Sequence, residues 1–330
     1  MKKDIYIFKS GELKRKDNTL FFESQEGKKF IPIEETDNIY VFGEVDINKR
    51  FLDYAGEKEI CLHFFNYYGY YSGSYYPRQH LNSGFVTLKQ AEYYLDYEKR
   101  VVIAKNIILA ALRNILIVLR YYNKNKEDFN STIEIIKENM LTIKESKTIE
   151  EIMAQEANSR IAYYKAFNNI IKNPDFYFEK RTKRPPKDKI NALISFGNSM
   201  MYVTVLSEIY KTNLDPRIGY LHSTNERRFT LNLDIAEVFK PIIVDREIFS
   251  LLNKNILTTG DFKEDLNGTI LKEDSMKKFV QAYNEKLMTT INHYKLNREV
   301  SYKRLIRMEL YKLQKHITGE ATYEGFTAEW

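Results

Sequence analysis

The sequence is poor in the residues that cross-link or interrupt a chain. Its 330 residues include 1 cysteine, 7 prolines and 13 glycines. The lone Cys61 excludes an internal disulfide and a thiolate metal cluster. The low content of proline and glycine argues against a loop-rich all-β chain and favours long helices.

Neither sign of charge dominates, and we find no long hydrophobic run. The chain has 51 basic and 45 acidic residues, a net charge of +6, and 43% hydrophobic residues, with a mean hydropathy of −0.49. These values are typical of a folded globular chain and exclude a disordered one. We expect no stretch that reaches the roughly 18 to 20 apolar residues of a membrane span. We therefore expect a cytoplasmic protein.

The positive charge is unevenly distributed. Residues 1–90 contain 13 basic and 13 acidic residues, so the whole excess lies after residue 90. A polyanionic partner such as DNA is therefore expected to meet the C-terminal part.

The N-terminal part shows short alternating runs rich in Val, Ile, Tyr and Phe from about residue 4 to residue 76. Period-two alternation broken by Gly, Asn and Asp predicts a small antiparallel β domain. One stretch, DINKRFLDYAGEKE, is typical of a helix instead. The aromatics between Phe64 and Tyr76 are either a stacking platform for DNA or packing in a core or dimer contact, and a neutral domain favours the second. We predict that residues 1–85 form a scaffold and dimerisation domain.

The pattern then changes to helical spacing, so the fold class expected is α+β, with a larger all-helical domain over residues 86–330. Because the candidate site residues described below lie in it, we predict that this is the catalytic domain. Helices are predicted at 88–122, 131–144, about 148–171, 188–211, 234–253, 275–293 and 297–317. Pro241 should kink the helix that contains it. The tail TGEATYEGFTAEW has three acids and no base, and we expect it to be loose.

The segment Gly219–Arg246 holds the best candidate for a site. It contains His222 followed by two carboxylates, Asp234 and Glu237, whose spacing of three places them on one helix face. Basic residues are interleaved with these potential metal ligands: Arg227, Arg228, Lys240 and Arg246. This mixture indicates cation-assisted chemistry on nucleic acid.

Two further elements belong with this segment. Glu156 lies four residues before Arg160 on a helix that begins at the capping box Thr148–Glu151, and it is either a third ligand or half of an exposed ion pair. The basic loop after that helix contains Arg181, Lys183 and Arg184. It is either a clamp for the DNA backbone or a solvated run of charge.

Four ordered motifs, EANSR, NALISFGNSMMY, LDPRIGYLH and DIAEVFKPIIVDR, resemble those of the CRISPR-associated integrase and endonuclease family, Cas1, and the resemblance covers the whole chain. It implies that Glu156, His222 and Glu237 hold Mg²⁺ or Mn²⁺, with Asp234 as a supporting acid. It also implies a homodimer through the β domains and dimers bridged by the small Cas2 protein. The implied activity on double-stranded DNA is insertion of short spacers into a repeat array by 3′-hydroxyl attack on phosphodiesters.

The chain departs from the family pattern without losing a ligand. Lys240 stands where arginine is common, which keeps the charge but loses bidentate phosphate geometry. Arg160, Lys240 and Arg246 are expected to position the DNA backbone, and the donor set admits Zn²⁺ as well. Two other functions stay open: a stand-alone metal-dependent nuclease on branched repair intermediates, and a non-catalytic DNA-binding scaffold.

Overall fold

The chain separates into two units, Met1–Leu81 and Asn82–Trp330, close to the boundary expected after residue 85. The computed structural model describes residues 2–77, 81–123, 128–224, 229–265, 268–293 and 296–329. The expected fold class is confirmed, because a strand-rich N-terminal unit precedes a mostly helical one.

In the first unit, strands form in the predicted alternating runs. The stretch predicted as a helix from Asp46 is helical only from Lys49, and Val45–Ile47 form a further strand. The side chain of Asn48 caps the helix by accepting a hydrogen bond from the backbone N–H of Phe51. Its elements are β1 (Lys3–Ile7), β2 (Gly11–Lys16), β3 (Thr19–Ser24), β4 (Gly27–Ile31), β5 (Thr36–Val41), β6 (Val45–Ile47), α1 (Lys49–Glu57), β7 (Cys61–Phe65) and β8 (Tyr71–Tyr75).

The strands form two sheets, with orders β1-β5-β7-β8 and β4-β3-β2-β6. The expectation of a purely antiparallel domain is wrong, because β1–β5, β5–β7 and β2–β6 pair in parallel. Each parallel pair is separated by further strands or by α1, and such long connections are what parallel pairing requires. Side chains from both sheets and α1 build one apolar core, which includes Ile39, Phe51 and Leu62.

The aromatic side chains of this unit mainly pack on one another. Phe65 stacks on Phe42 with 4.4 Å between ring centroids, and Tyr6 stacks on Tyr40 at 4.9 Å. Tyr40 and Phe65 are buried. Within the segment Phe64–Tyr76, the buried Phe65 supports the packing interpretation, whereas Tyr67 is 63% exposed and is not part of the core.

The second unit has helices over most of its length and two-stranded hairpins in its last third. Its elements are α2 (Gly84–Leu95), α3 (Tyr97–Asn123), α4 (Asn130–Glu145), α5 (Ile149–Ile170), α6 (Lys189–Ile209), α7 (Leu231–Lys240), α8 (Arg246–Asn253), β9 (Phe262–Asp265), β10 (Gly268–Leu271), α9 (Glu273–Met288), β11 (Thr290–His293), β12 (Arg298–Ser301) and α10 (Tyr302–Ile317).

Three local expectations for this unit change. It is not all-helical, since β9 pairs with β10 and β11 with β12. The long helix predicted over 88–122 is two helices, separated at Asp96, whose backbone is extended. At Pro241 the backbone passes through a π-helical turn, Pro241–Asp245, which joins α7 to α8. Proline lacks the N–H that a regular helix would use there, which accounts for the irregular turn.

The C-terminal tail is ordered, contrary to expectation. Tyr323 is buried and its hydroxyl donates to Glu309 at 2.7 Å. Phe326 stacks on Phe239 of α7 with 5.5 Å between centroids. The side chain of Asn114 on α3 bonds both Phe326 O and Val238 O. The spacing of apolar side chains, and not the acidic composition, therefore decides how the tail packs.

Among the residues that the structure describes, two helices qualify as membrane spans by length and composition alone, contrary to the expectation that no stretch would do so. They are α3 and α6, and 72% and 83% of their most apolar windows are buried inside the protein. Core helices pass the same test, and α6 makes close contacts typical of a core. A Cβ on Gly197 of α6 would lie 2.5 Å from Val244, so only glycine allows this approach.

Candidate active site

The site is built from α5, α7 and the loop that precedes α7. The capping box at Thr148 and Glu151 starts α5, which carries Glu156 and Arg160. Nε of Arg160 donates to Oε1 of Glu156 at 2.9 Å, and Nη2 donates to Oε2 of Glu237 on α7 at 2.5 Å. One guanidinium therefore joins two carboxylates from different helices. The expected i, i+4 ion pair exists, but it is part of this cluster, with the Arg160 side chain 10% exposed.

Glu237 has a second cationic partner. Nζ of Lys240, one turn further along α7, lies 2.5 Å from its Oε1. Burial alone would raise the pKa of Glu237, but the charges of Lys240 and Arg160 outweigh it and lower this pKa to about 2. His222 also acts to lower the pKa of Glu237, so the imidazole lies within electrostatic reach of that carboxylate.

Asp234 holds both His222 and its loop. Its fully buried carboxylate accepts backbone N–H groups of Tyr220, Leu221 and His222 at 2.5, 3.0 and 3.1 Å. Nδ1 of His222 lies 2.7 Å from Oδ1 of Asp234. This contact assigns the proton to Nδ1 and leaves Nε2 with its lone pair for another partner. The geometry supports an orienting role for Asp234, the acid expected to support the site.

Residues distant in sequence fix the same loop. Nε2 of Gln90 on α2 donates to Asp215 O and Ile218 O at 2.9 and 2.7 Å. Nε of Arg100 on α3 donates to Tyr220 O at 2.8 Å. A Cβ on Gly219 would lie 2.8 Å from Oδ2 of Asp234, so glycine is required for this approach.

Asp245 is a further buried acid beside the cluster. Burial raises its pKa to about 6, although the charges of Arg160 and Lys240 oppose that rise. Burial would lower the pKa of Lys240, but Glu237 raises it above its usual range. The cluster therefore combines carboxylates and cations in a largely desolvated region. The charged form of each group there is stabilised by the opposite charges next to it.

The side chains of Glu156, Glu237 and His222 have the chemistry that a divalent metal requires. In this structure, however, each of them is paired with another protein side chain. Two carboxylates and an imidazole are ligands that Mn²⁺ and Mg²⁺ accept, and Zn²⁺ also accepts them. Within the ranges that the structure describes, however, His, Asp, Glu and Cys side chains form no group of three arranged to hold a metal. Glu237 is not arranged to bind a metal, because Arg160 binds one of its carboxylate oxygens and Lys240 binds the other.

The residues predicted to contact DNA fall into different environments. Arg181 is used inside the protein, where it donates to Asn191 Oδ1 at 2.7 Å and Ser195 Oγ at 3.0 Å. Arg184 is exposed. Arg246 lies over the ring of Tyr121 on α3, 4.7 Å from its centroid. Arg227 and Arg228 lie outside the described residues.

Lys183, in the basic loop, carries a charge within electrostatic reach of Glu237 and Glu156. Partial burial of its ammonium group, with repulsion from Arg181 and Lys240, lowers its pKa, while Glu237 and Glu156 act in the opposite direction. The residue is largely exposed. An exposed cation within electrostatic reach of both carboxylates can bind a phosphate group.

Sequence reasoning missed the supporting residues Gln90, Arg100 and Asp245. Gln90 offers a weak signal, because it lies four residues after the buried Val86 and so on the inner face of α2. The chain gives no comparable signal for Arg100, whose partner is a backbone carbonyl 120 positions away.

Comparison with known proteins agrees with these features. The family model described as CRISPR associated protein Cas1 matches residues 5–285. A protein named CRISPR-associated endonuclease Cas1 2, from Thermodesulfovibrio yellowstonii, is 54% identical over 330 residues, with 100% of each chain covered. A solved Cas1 protein from Thermotoga maritima is 45% identical and covers 99% of this chain and 100% of its own, with a TM-score of 0.88.

The same fold occurs at much lower identity. A solved casposase bound to its integration product has a TM-score of 0.89 at 19% identity and covers 98% of this chain and 93% of its own. At that identity the likeness concerns the fold alone. The family match and the relatives of high identity show that this chain belongs to the Cas1 family of CRISPR-associated proteins.

Proposed function

We propose that the chain is a divalent-metal-dependent DNA integrase and endonuclease that inserts short duplex DNA into a CRISPR repeat array. The observation that carries this proposal is the arrangement of Glu156 and Glu237 around one guanidinium, beside an imidazole oriented by Asp234. The endonuclease name of a relative at 54% identity supports the same reaction class.

Glu156, Glu237 and Nε2 of His222 would hold the metal. A bound Mg²⁺ or Mn²⁺ supplies charge stabilisation for the phosphate and the leaving oxygen. The buried contact to Asp234 keeps His222 in the tautomer that a ligand needs.

The chemical step proposed is an in-line exchange of esters. The oxygen of a DNA 3′-hydroxyl loses its proton and forms a bond to phosphorus. The bond from phosphorus to the 3′ oxygen of the attacked strand breaks, and that oxygen leaves and takes up a proton, so no net proton is consumed. The contribution of the chain is positioning and charge: Lys183, Lys240 and Arg160 place positive charge around the phosphate. This exchange needs no covalent protein nucleophile.

The partners proposed follow from the family. We expect a homodimer through the N-terminal unit, a Cas2 protein that bridges two such dimers, and action in the cytoplasm on double-stranded DNA. A chain of the same fold, 17% identical with a TM-score of 0.83, occurs in a solved complex titled Cas6-RT-Cas1–Cas2, which supports a Cas2 partner.

A joining assay tests the proposal. A supercoiled plasmid that carries a repeat is incubated with short 3′-hydroxyl duplexes and Mn²⁺ or Mg²⁺, with and without Cas2. Covalent joining that fails with 3′-deoxy ends and with His222→Ala supports integration, provided that the variant still dimerises.

The same assay separates the other candidate functions. Cutting of branched DNA without joining would indicate a stand-alone nuclease. DNA binding that is equal with and without divalent ions, and never accompanied by cutting or joining, would indicate a scaffold.

A further inference from the structure

The carboxylates of the site are neutralised by the protein itself. Arg160 bridges Glu156 and Glu237 through different nitrogens, and Lys240 binds the second oxygen of Glu237 at 2.5 Å. The two cationic side chains therefore pair directly with the two glutamates, and Asp245 is a further buried acid beside them. Glu237, Arg160 and Lys240 are 8%, 8% and 7% exposed, so water screens this cluster poorly.

This pairing opposes the entry of a divalent cation. Both oxygens of Glu237 are bound, so a metal that binds Glu237 has to displace Arg160 or Lys240, and it has to displace both to use both oxygens. A displaced cation in a desolvated position loses its partner, and an unpaired buried charge is strongly destabilising. The isolated protein should therefore bind the metal weakly.

A phosphodiester changes this pairing, because it offers the displaced cations a new anion. The guanidinium of Arg160 suits phosphate through paired N–H donors, and the ammonium of Lys240 suits it as a point charge. Lys183, an exposed cation of the basic loop, lies within electrostatic reach of the same carboxylates. The metal then binds the carboxylates while the phosphate binds the cations.

We propose that Arg160 and Lys240 are exchangeable counter-ions of Glu156 and Glu237 and couple divalent-ion binding to DNA binding. The inference rests on the ligand set of the proposed function and goes beyond it, because it assigns to these residues a thermodynamic linkage. Linkage is reciprocal, so DNA tightens the metal and the metal tightens DNA by the same factor.

Binding measurements test the coupling without any turnover. Mn²⁺ affinity of the full chain is measured by calorimetry, with and without a duplex whose 3′ ends are dideoxy and cannot react. The duplex should tighten Mn²⁺ binding by about tenfold or more, within the range of typical coupling energies. Mn²⁺ should tighten duplex binding equally.

Variants assign the coupling to the named cations. Lys240→Met keeps length and removes charge, so it should tighten Mn²⁺ binding in the absence of DNA and reduce the effect of the duplex. Lys278→Met, which removes a cation paired with Asp261 at 2.9 Å, is the matched control and should change neither quantity. If Lys240→Met does not fold, the same two quantities are measured in Arg160→Lys. This variant keeps the charge but cannot bridge both carboxylates.

The possible outcomes distinguish failure of this inference from failure of the proposed function on which it rests. Equal Mn²⁺ affinity with and without duplex, in a protein where Glu237→Gln abolishes Mn²⁺ binding, would overturn the exchange and leave the metal site standing. Unchanged Mn²⁺ binding in both Glu237→Gln and His222→Ala would overturn the ligand set and the exchange together.

Discussion

Nδ1 of His222 lies 2.7 Å from Oδ1 of Asp234. The same carboxylate accepts the N–H groups of the backbone that carries the histidine, from residue 220 to residue 222. One buried acid therefore fixes the position of the loop, the orientation of the ring and the tautomer that leaves Nε2 available. This relationship links the stability of the loop to the chemistry of the site.

Replacement of Asp234 by Asn should impair both the stability of the loop and the chemistry of the site. The amide keeps one acceptor oxygen but turns an NH₂ group toward backbone donors, so we expect a loss of about 1 to 3 kcal/mol in the free energy of unfolding. Strand transfer should fall by about 10- to 100-fold, as for other groups that orient a metal ligand. Denaturant unfolding and the joining assay measure these effects, with exposed Asp274→Asn on α9 as the control. Wild-type activity in Asp234→Asn would show that the contact does not orient the ligand.

Asp245 should give the protein a pH dependence of opposite sign to that of most carboxylates. Burial raises its pKa from 3.8 to about 6. Between those values the folded state binds a proton that the unfolded chain has lost, so this group lowers the free energy of unfolding as pH rises through about 4 to 6. The full contribution is about 3 kcal/mol, at 1.36 kcal/mol per pKa unit.

The variant Asp245→Asn cannot ionise and isolates that contribution. Its free energy of unfolding relative to wild type should rise as the pH increases from 4 to 7, and the gain should level off above pH 6. Glu237 has the opposite dependence, since its pKa is lowered to about 2 and its stabilising effect is lost as pH falls below 4.5. The contribution of Glu237 is present in both proteins, so it largely cancels in the difference between their free energies of unfolding. A difference that does not change with pH would contradict the assignment.

Lys183 and Arg181, two residues apart, should differ in what their loss affects. Lys183→Ala should weaken DNA binding at low salt and reduce the slope of log affinity against log salt by about 1, because one phosphate contact is lost. Arg181→Ala should lower stability instead, because its guanidinium donors bond Asn191 and Ser195. Fluorescence anisotropy across a salt series, combined with thermal unfolding, distinguishes the two. The reverse assignment of effects would refute this division of roles.

The C-terminal tail should support α7. Phe326→Ala removes the ring that stacks on Phe239, two residues from Glu237, and should cost about 2 to 4 kcal/mol of stability, near the values for truncation of packed aromatics. Glu329→Ala, in an exposed position of the same tail, is the matched control and should change stability by less than about 0.5 kcal/mol. Equal stability of the two variants in a denaturant titration would contradict the packing role.

The parts of the fold that follow from local pattern could be predicted from sequence. Alternation placed the strands of the first unit, and the capping box at Thr148 placed the start of α5. Pairing direction could not be predicted, because alternation is the same for parallel and antiparallel neighbours. The break at Asp96 was missed because the apolar spacing continues on both sides of it.

For the site, spacing placed Asp234 and Glu237 on one helix and the motifs singled out His222. The sequence did not indicate that Arg160 would join Glu156 to Glu237, since that contact depends on how α5 packs beside α7. It also did not separate Arg181, whose guanidinium bonds Asn191 and Ser195, from the exposed Lys183, because both occur in the same basic run. Partners set by tertiary packing leave no local signature.

The central claim is that Glu156, His222 and Glu237 meet at one divalent cation when DNA is bound. Anomalous diffraction from crystals grown with Mn²⁺ and an unreactive duplex tests it most directly. The account predicts one anomalous peak within about 2 to 2.5 Å of both carboxylates and of Nε2 of His222, with Arg160 and Lys240 moved onto phosphate oxygens. A fully occupied DNA complex with no peak there, or with Mn²⁺ held by other residues, would contradict it.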